Sequence, residues 1–252
     1  MKRIKLIISY AGTNYVGWQR QQNGLSIQQI LEEKIENILN EKVGCIASGR
    51  TDAGVHALGQ TVHFDCTKPI PLEGLIKVLN SSLPDDISIV DAINVSGDFH
   101  AKNSTRKKTY RYLIYESEFK SPLLDKRAWH VKGNLNIRSM KNAAKYLKGK
   151  HDYECFRAAG CGAKDAIRKI EKIKFSEVKS SLFFNTGKIY YIEFTGDGFV
   201  RHMIRNIVGT LVEIGKGRFD AKDVREMLNS RDRSKAGICA PACGLYLAKV
   251  YY

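Results

Sequence analysis

The densest chemistry in the chain is the run Gly49-Arg50-Thr51-Asp52-Ala53-Gly54-Val55-His56-Ala57. Two glycines bracket an arginine and an aspartate, which lets a backbone approach a ligand and present both side chains from a tight loop. A carboxylate placed in this way can serve as nucleophile or base, and a guanidinium two residues earlier can grip an anion. Taken by spacing alone, the same run also reads as an ordinary Gly/Asp turn. A second basic group, Arg201 and Arg205, falls in an apolar stretch with helical spacing. On a helix from Val200 to Glu213 the two arginines lie one turn apart and share a face. That face could hold a carboxylate, or simply phosphate or solvent. Tyr110 and Tyr112 alternate along a strand and so point to one side, which fits core tyrosines as well as a stacking platform.

Other polar residues have plainer readings. Trp18 and Gln19 follow a turn, where an aromatic residue is more often a packing anchor than a ligand contact. His56 can hold its loop by a hydrogen bond or touch a substrate. His151 and Asp152 are expected to cap the helix or loop beside Gly149. Arg106-Lys107-Lys108 and the series Lys141, Lys145, Lys148, Lys150 would be a solvated face in a neutral protein. This protein is not neutral. Its 252 residues carry 41 Lys+Arg against 26 Asp+Glu, a formal charge of +15, which favours phosphate tracking. The six cysteines form no C-x-x-C pair, and Cys239 and Cys243 have no flanking His to complete a zinc set. We expect buried, inert thiols, no metal and a reduced cytoplasmic setting. No stretch approaches the roughly 18 apolar residues of a membrane helix, and the basic start Met1-Lys2-Arg3 lacks the apolar run of a signal peptide.

The elements that must position these groups follow from periodicity. Strands are expected at Ile4 to Tyr10, Val43 to Ser48, Thr61 to Cys66, Ile87 to Ile93, Thr109 to Tyr115, Ile167 to Phe175, Ile189 to Thr195 and Gly244 to Tyr252. A helix begins at Ser26, with Gln29 making a capping box and Ile27, Ile30, Leu31, Ile35 and Ile38 on one face. A short helix enters through Pro71, another carries Met140, Ala143, Ala144 and Leu147 up to Gly149, and Asp220 caps one ending near Leu228. Long strands mixed with helices, without strict βαβ order, predict an α+β fold with mostly antiparallel sheets. Two similar halves should meet near residues 95–108, giving domains at 1–100 and 101–252.

Several separated blocks, in order, resemble the tRNA pseudouridine synthase A family. They are Tyr10-Ala11-Gly12-Thr13-Asn14-Tyr15-Val16-Gly17-Trp18-Gln19, the Gly49 to Ala57 run, Leu79 to Ile87, Phe99-His100-Ala101 with Tyr110-Arg111-Tyr112, His151-Asp152-Tyr153, Gly198 to Gly209 and Ala240 to Leu247. The resemblance implies the pseudouridine synthase fold, two halves with helices on one face of each sheet, flanking a basic central cleft. It places the catalytic carboxylate on Asp52, its arginine partner on Arg205 and an active-site tyrosine on Tyr110. Arg50 would help displace the target base, and Arg201 would contact RNA. A homodimer, tRNA as partner, target uridines at tRNA positions 38, 39 and 40 of the anticodon stem-loop, and no cofactor are implied likewise. Two positions depart from the family's habit: Lys102 stands where Arg is common, and Cys239 stands for the threonine often found before Ala-Pro-Ala. A lysine cannot form a bidentate fork, so target range is where these departures would tell. Two other functions compete. A non-catalytic tRNA-binding or tRNA-folding protein on the same scaffold would not need Asp52, and a metal-dependent nuclease would need clustered carboxylates.

Overall fold

Residues 1–178 and 187–252 are described by the computed structural model. The chain forms two compact units, Met1–Lys108 with Tyr246–Tyr252, and Thr109–Leu245.

In the first unit, alternation along β1 (Lys2–Tyr10) buries Ile4, Leu6, Ile8 and Tyr10 on one face. Helix α1 (Ile27–Leu39) starts at Ser26, whose hydroxyl accepts from the Gln29 amide. Only half of the expected capping box forms, because the Gln29 side chain reaches forward to Glu33 instead of back to Ser26. Of the strand expected at Val43 to Ser48, only β2 (Ile46–Ala47) is regular. It pairs antiparallel with β3 (His56–Cys66), which takes in the last two residues of the Gly49 to Ala57 run. Helix α2 (Leu72–Ser82) does enter through Pro71, and it packs on β4 (Ile87–Val95). β1 lies between β3 and β4, antiparallel to both, and its register with β3 slips between Ile8 and Tyr10. That irregularity is where the Asp52 loop leaves the sheet.

The second unit holds β5 (Lys107–Glu116, from Thr109 on), β6 (Trp129–Val131), α3 (Ile137–Tyr146), β7 (Gly149–Asp152), β8 (Ile167–Val178), β9 (Lys188–Gly196), α4 (Met203–Gly215) and α5 (Asp223–Ser230). Its strands run in the order β5-β9-β8-β7, with β7/β8 and β8/β9 antiparallel and β6 parallel to β5. Helix α3 packs against α4 and α5. Three sequence expectations need correction here. Gly149 does not close α3, which ends at Tyr146; with φ +108° it opens β7. Asp220 does not cap α5: its amide donates to the Asp223 side chain, so the bond runs the other way. Helix α4 starts at Met203 rather than Val200, because His202 sits in the left-handed region at φ 61° and breaks the turn. The last strand, β10 (Leu245–Tyr251), returns to the first unit, where Tyr246 and Leu247 pair parallel with His56 and Ala57 of β3. The α+β class with mostly antiparallel pairing is what the periodicity predicts.

Candidate active site

Asp52 is half-buried in a loop stitched to the segment that follows β1. It bridges Gly17 in antiparallel fashion, and the Trp18 amide donates to the Thr51 carbonyl at 3.0 Å. Thr51, buried, shares a 2.7 Å hydrogen bond with the Tyr10 hydroxyl. Burial pushes the Tyr10 phenol up to about 12, so the hydroxyl stays protonated as a fixed partner. Gly17 has φ +108°, and a Cβ there would sit 2.6 Å from the Thr51 oxygen; only glycine lets the two strands of backbone meet. Trp18 is 2% exposed, so it is an anchor and not an RNA contact. Below the loop His56 is buried, accepts from the Gly12 amide at 3.2 Å and stacks on Tyr246 with ring centres 4.6 Å apart. His56 therefore holds the loop. These bonds fix the backbone on both sides of the Asp52 carboxylate.

Arg50 is exposed, and its Nε donates to Gln19 Oε1 at 3.1 Å. On the opposite flank Lys108 reaches in: its Nζ donates to the Ser48 carbonyl at 2.6 Å and lies 2.7 Å from where a Gly49 Cβ would be. Burial, with a smaller push from Lys102, brings the Lys108 amine down from 10.5 to about 8.

In the second unit, twelve of the thirteen residues of α4 are buried, and the exception is Arg205. Its Nε donates to the Ala240 carbonyl at 2.7 Å, and the Ala240 amide returns a 3.1 Å bond to the Arg205 carbonyl. The segment bearing Ala240 runs tight along the helix at Gly209, where a Cβ would fall 1.7 Å from the Ile238 oxygen. Gly237 donates to Thr210 Oγ1, and Arg233 reaches Asn206 Oδ1 at 3.0 Å, closing the clamp. Tyr110 is half-buried and meets Phe199 edge-on at 5.3 Å. Tyr112 is a core residue by contrast. It is fully buried, its hydroxyl donates to the Pro241 carbonyl at 2.7 Å, and burial holds its pKa well above the ordinary phenol range. Arg201 is exposed and precedes α4, so the expected shared helix face with Arg205 does not exist. Thus Asp52 and Arg50 stand on one loop of the first unit, and Tyr110 and Arg205 are fixed in the second. Among the described residues no three His, Cys, Asp or Glu side chains gather as a metal site would require.

The tRNA pseudouridine synthase family model matches residues 6–103 and 143–252. The chain belongs to the tRNA pseudouridine synthase family. It is 44% identical to tRNA pseudouridine synthase A of Acetivibrio thermocellus and 42% identical to that of Pelobacter propionicus, each alignment covering both chains in full. The protein of the same name from Myxococcus xanthus is 42% identical over all of this chain and 92% of its own length.

The family match spans the Asp52 loop and the Arg205 helix. The two departures occupy different settings. Lys102 is exposed, its backbone amide donating to His100 Nδ1. The Cys239 sulfur lies 3.9 Å from His202 Nδ1, next to the residue that holds Arg205. His151 and Asp152 lie in β7 and tie down the backbone on either side of it, the Glu154 amide donating to Asp152 Oδ1 at 3.1 Å. His151 bonds the Lys148 carbonyl, and Asp152 pairs with Arg231 at 3.0 Å. Sequence reasoning missed Lys108 as a contact of the loop and missed Gln19 as a partner of Arg50. Each depends on a contact between residues too distant in sequence to share an element.

Proposed function

We propose that this chain isomerises uridine to pseudouridine in the anticodon stem-loop of tRNA, at positions 38, 39 and 40, with Asp52 as the catalytic carboxylate. The observation that carries the reading is a half-buried aspartate whose flanking backbone is locked by Tyr10, Gly17 and Trp18, in a chain of this family. The reaction breaks the C1′–N1 glycosidic bond, turns the uracil and joins C5 to C1′. The carboxylate serves either by attacking C1′ or by assisting loss of a sugar proton, and no water is consumed in the net change. Unlike glycoside hydrolysis, this needs no second carboxylic acid.

Tyr110 stacks on the extruded base in this reading, and its phenol relays the C5 proton as the ring rearomatises. Arg205 takes the role of cationic partner to the catalytic carboxylate in this reading. Arg50 occupies the space the base leaves, and Arg201 contacts the RNA backbone. Tolerance of three neighbouring uridines fits recognition by tRNA shape and phosphates, since phosphate contacts carry no sequence information. The working unit is a homodimer in the cytoplasm, binding tRNA without a cofactor.

Asp52→Asn tests the reading. Turnover of tRNA labelled at uridine C5 should fall by more than about 1,000-fold while tRNA affinity stays within about threefold. Retained turnover would remove Asp52 from the chemistry and leave a tRNA-binding protein on this scaffold.

A further inference from the structure

The base-displacing arginine is tied to a buried carboxylate through two amide side chains. Arg50 Nε donates to Gln19 Oε1 at 3.1 Å. Gln19 Nε2 donates to Gln28 Oε1 at 2.8 Å, and Gln28 Nε2 donates to Glu32 Oε1 at 2.8 Å. The direction of this chain is forced. Glu32 is 6% exposed and receives the Cys45 amide at 2.9 Å and Arg20 at 3.5 Å besides Gln28, so it is an acceptor. Gln28 must therefore turn its NH2 toward Glu32 and its oxygen outward, where the Arg20 amide also donates to it at 3.1 Å. Gln19 must then turn its NH2 toward Gln28, which leaves its oxygen facing Arg50. No other amide orientation satisfies every member.

We infer that Gln19 is a positioning residue that aims Arg50 for base displacement, with its own orientation set from Glu32 by way of Gln28. This rests on the reading of Arg50 as the group that displaces the target base. A long exposed arginine loses rotamer freedom whenever it acts, and that cost falls on every catalytic cycle. A guanidinium held at Nε is already directed, while its two terminal nitrogens lie beyond the anchor and can meet a base oxygen or a phosphate. The chain extends from helix α1, whose buried face fixes Glu32, to the loop that carries Asp52. Rigid support of this kind is how a helix confers precision on a loop residue.

The prediction concerns rate rather than binding. On full-length tRNA, Gln19→Leu should lower kcat about 10-fold with KM within about twofold, and Arg50→Met should lower kcat further. The double variant should be no slower than Arg50→Met alone, because the glutamine acts only through the arginine. A stem-loop in which the target uridine faces a mismatch is already part-extruded, so the Gln19→Leu deficit should shrink to within about threefold on it. If Gln19→Leu does not fold, Gln28→Leu cuts the same chain one link back and gives the same comparison. A wild-type kcat for the glutamine variant, or losses that multiply in the double variant, would overturn the inference and leave the role of Arg50 intact. A wild-type kcat for Arg50→Met would overturn both.

Discussion

At the scale of single residues, the groups nearest Asp52 in sequence are held by backbone contacts and one amine. Lys108 is the least expected of them. Its ammonium is largely out of water, against the Ser48 carbonyl, and titrates near 8 in place of 10.5. Below pH 8 folded and unfolded chains both carry the proton, and the folded state bears the full cost of burying the charge. Between pH 8 and 10.5 the folded amine has lost its proton while the unfolded amine keeps it. The unfolded state then binds more protons, so this group makes stability rise with pH across that window. The unfolding free energy of the wild type, measured against Lys108→Met by urea titration, should therefore improve from pH 8 to pH 10. A difference that stays flat would place the amine in water.

At the scale of elements, α4 has the most consequence for the proposed site, since a helix buried on nearly every side presents one arginine. Gly209 allows the Ala240 segment to lie against it, and Ala240 is what holds Arg205 Nε. Gly209→Ala should cost about 3 kcal/mol or more, because backbone and not a flexible side chain would have to move. Turnover of the folded fraction should fall as well; full activity at wild-type stability, by urea unfolding and tRNA assay, would refute the clamp. The elements themselves were largely legible. Period-two alternation located β1, and helical spacing behind Ser26 located α1. The misplaced start of α4 has a local cause that apolar periodicity does not register, namely the left-handed backbone at His202. The runs that carry Asp52 and Arg205 stand out in the sequence because each is contiguous. The chain from Arg50 through Gln19 and Gln28 to Glu32 was not, since it links a loop, a turn and a helix by side chains whose partners lie 31, 9 and 4 residues apart.

At the scale of the whole molecule, a charge of +15 on 252 residues sets how RNA is held. Phosphate contacts release counterions, so affinity for tRNA should fall by about 1,000-fold or more between 50 and 200 mM salt if six or more phosphates are engaged. Turnover at saturating tRNA should change far less, because chemistry in a bound complex is little screened. A salt-independent Kd, measured by filter binding, would mean that the basic excess is not the binding surface.

The path of the chain between units also has a consequence in the cell. The first unit is left at Lys108 and completed only by Tyr246–Tyr252, whose first residue stacks on His56. During synthesis the Asp52 loop therefore waits, through 137 intervening residues, for its last support to leave the ribosome. A nascent chain has the carboxylate early but its full bracing only once Tyr246 has emerged. A chain stopped short of Tyr246 therefore carries Asp52 in a loop that lacks one of its supports.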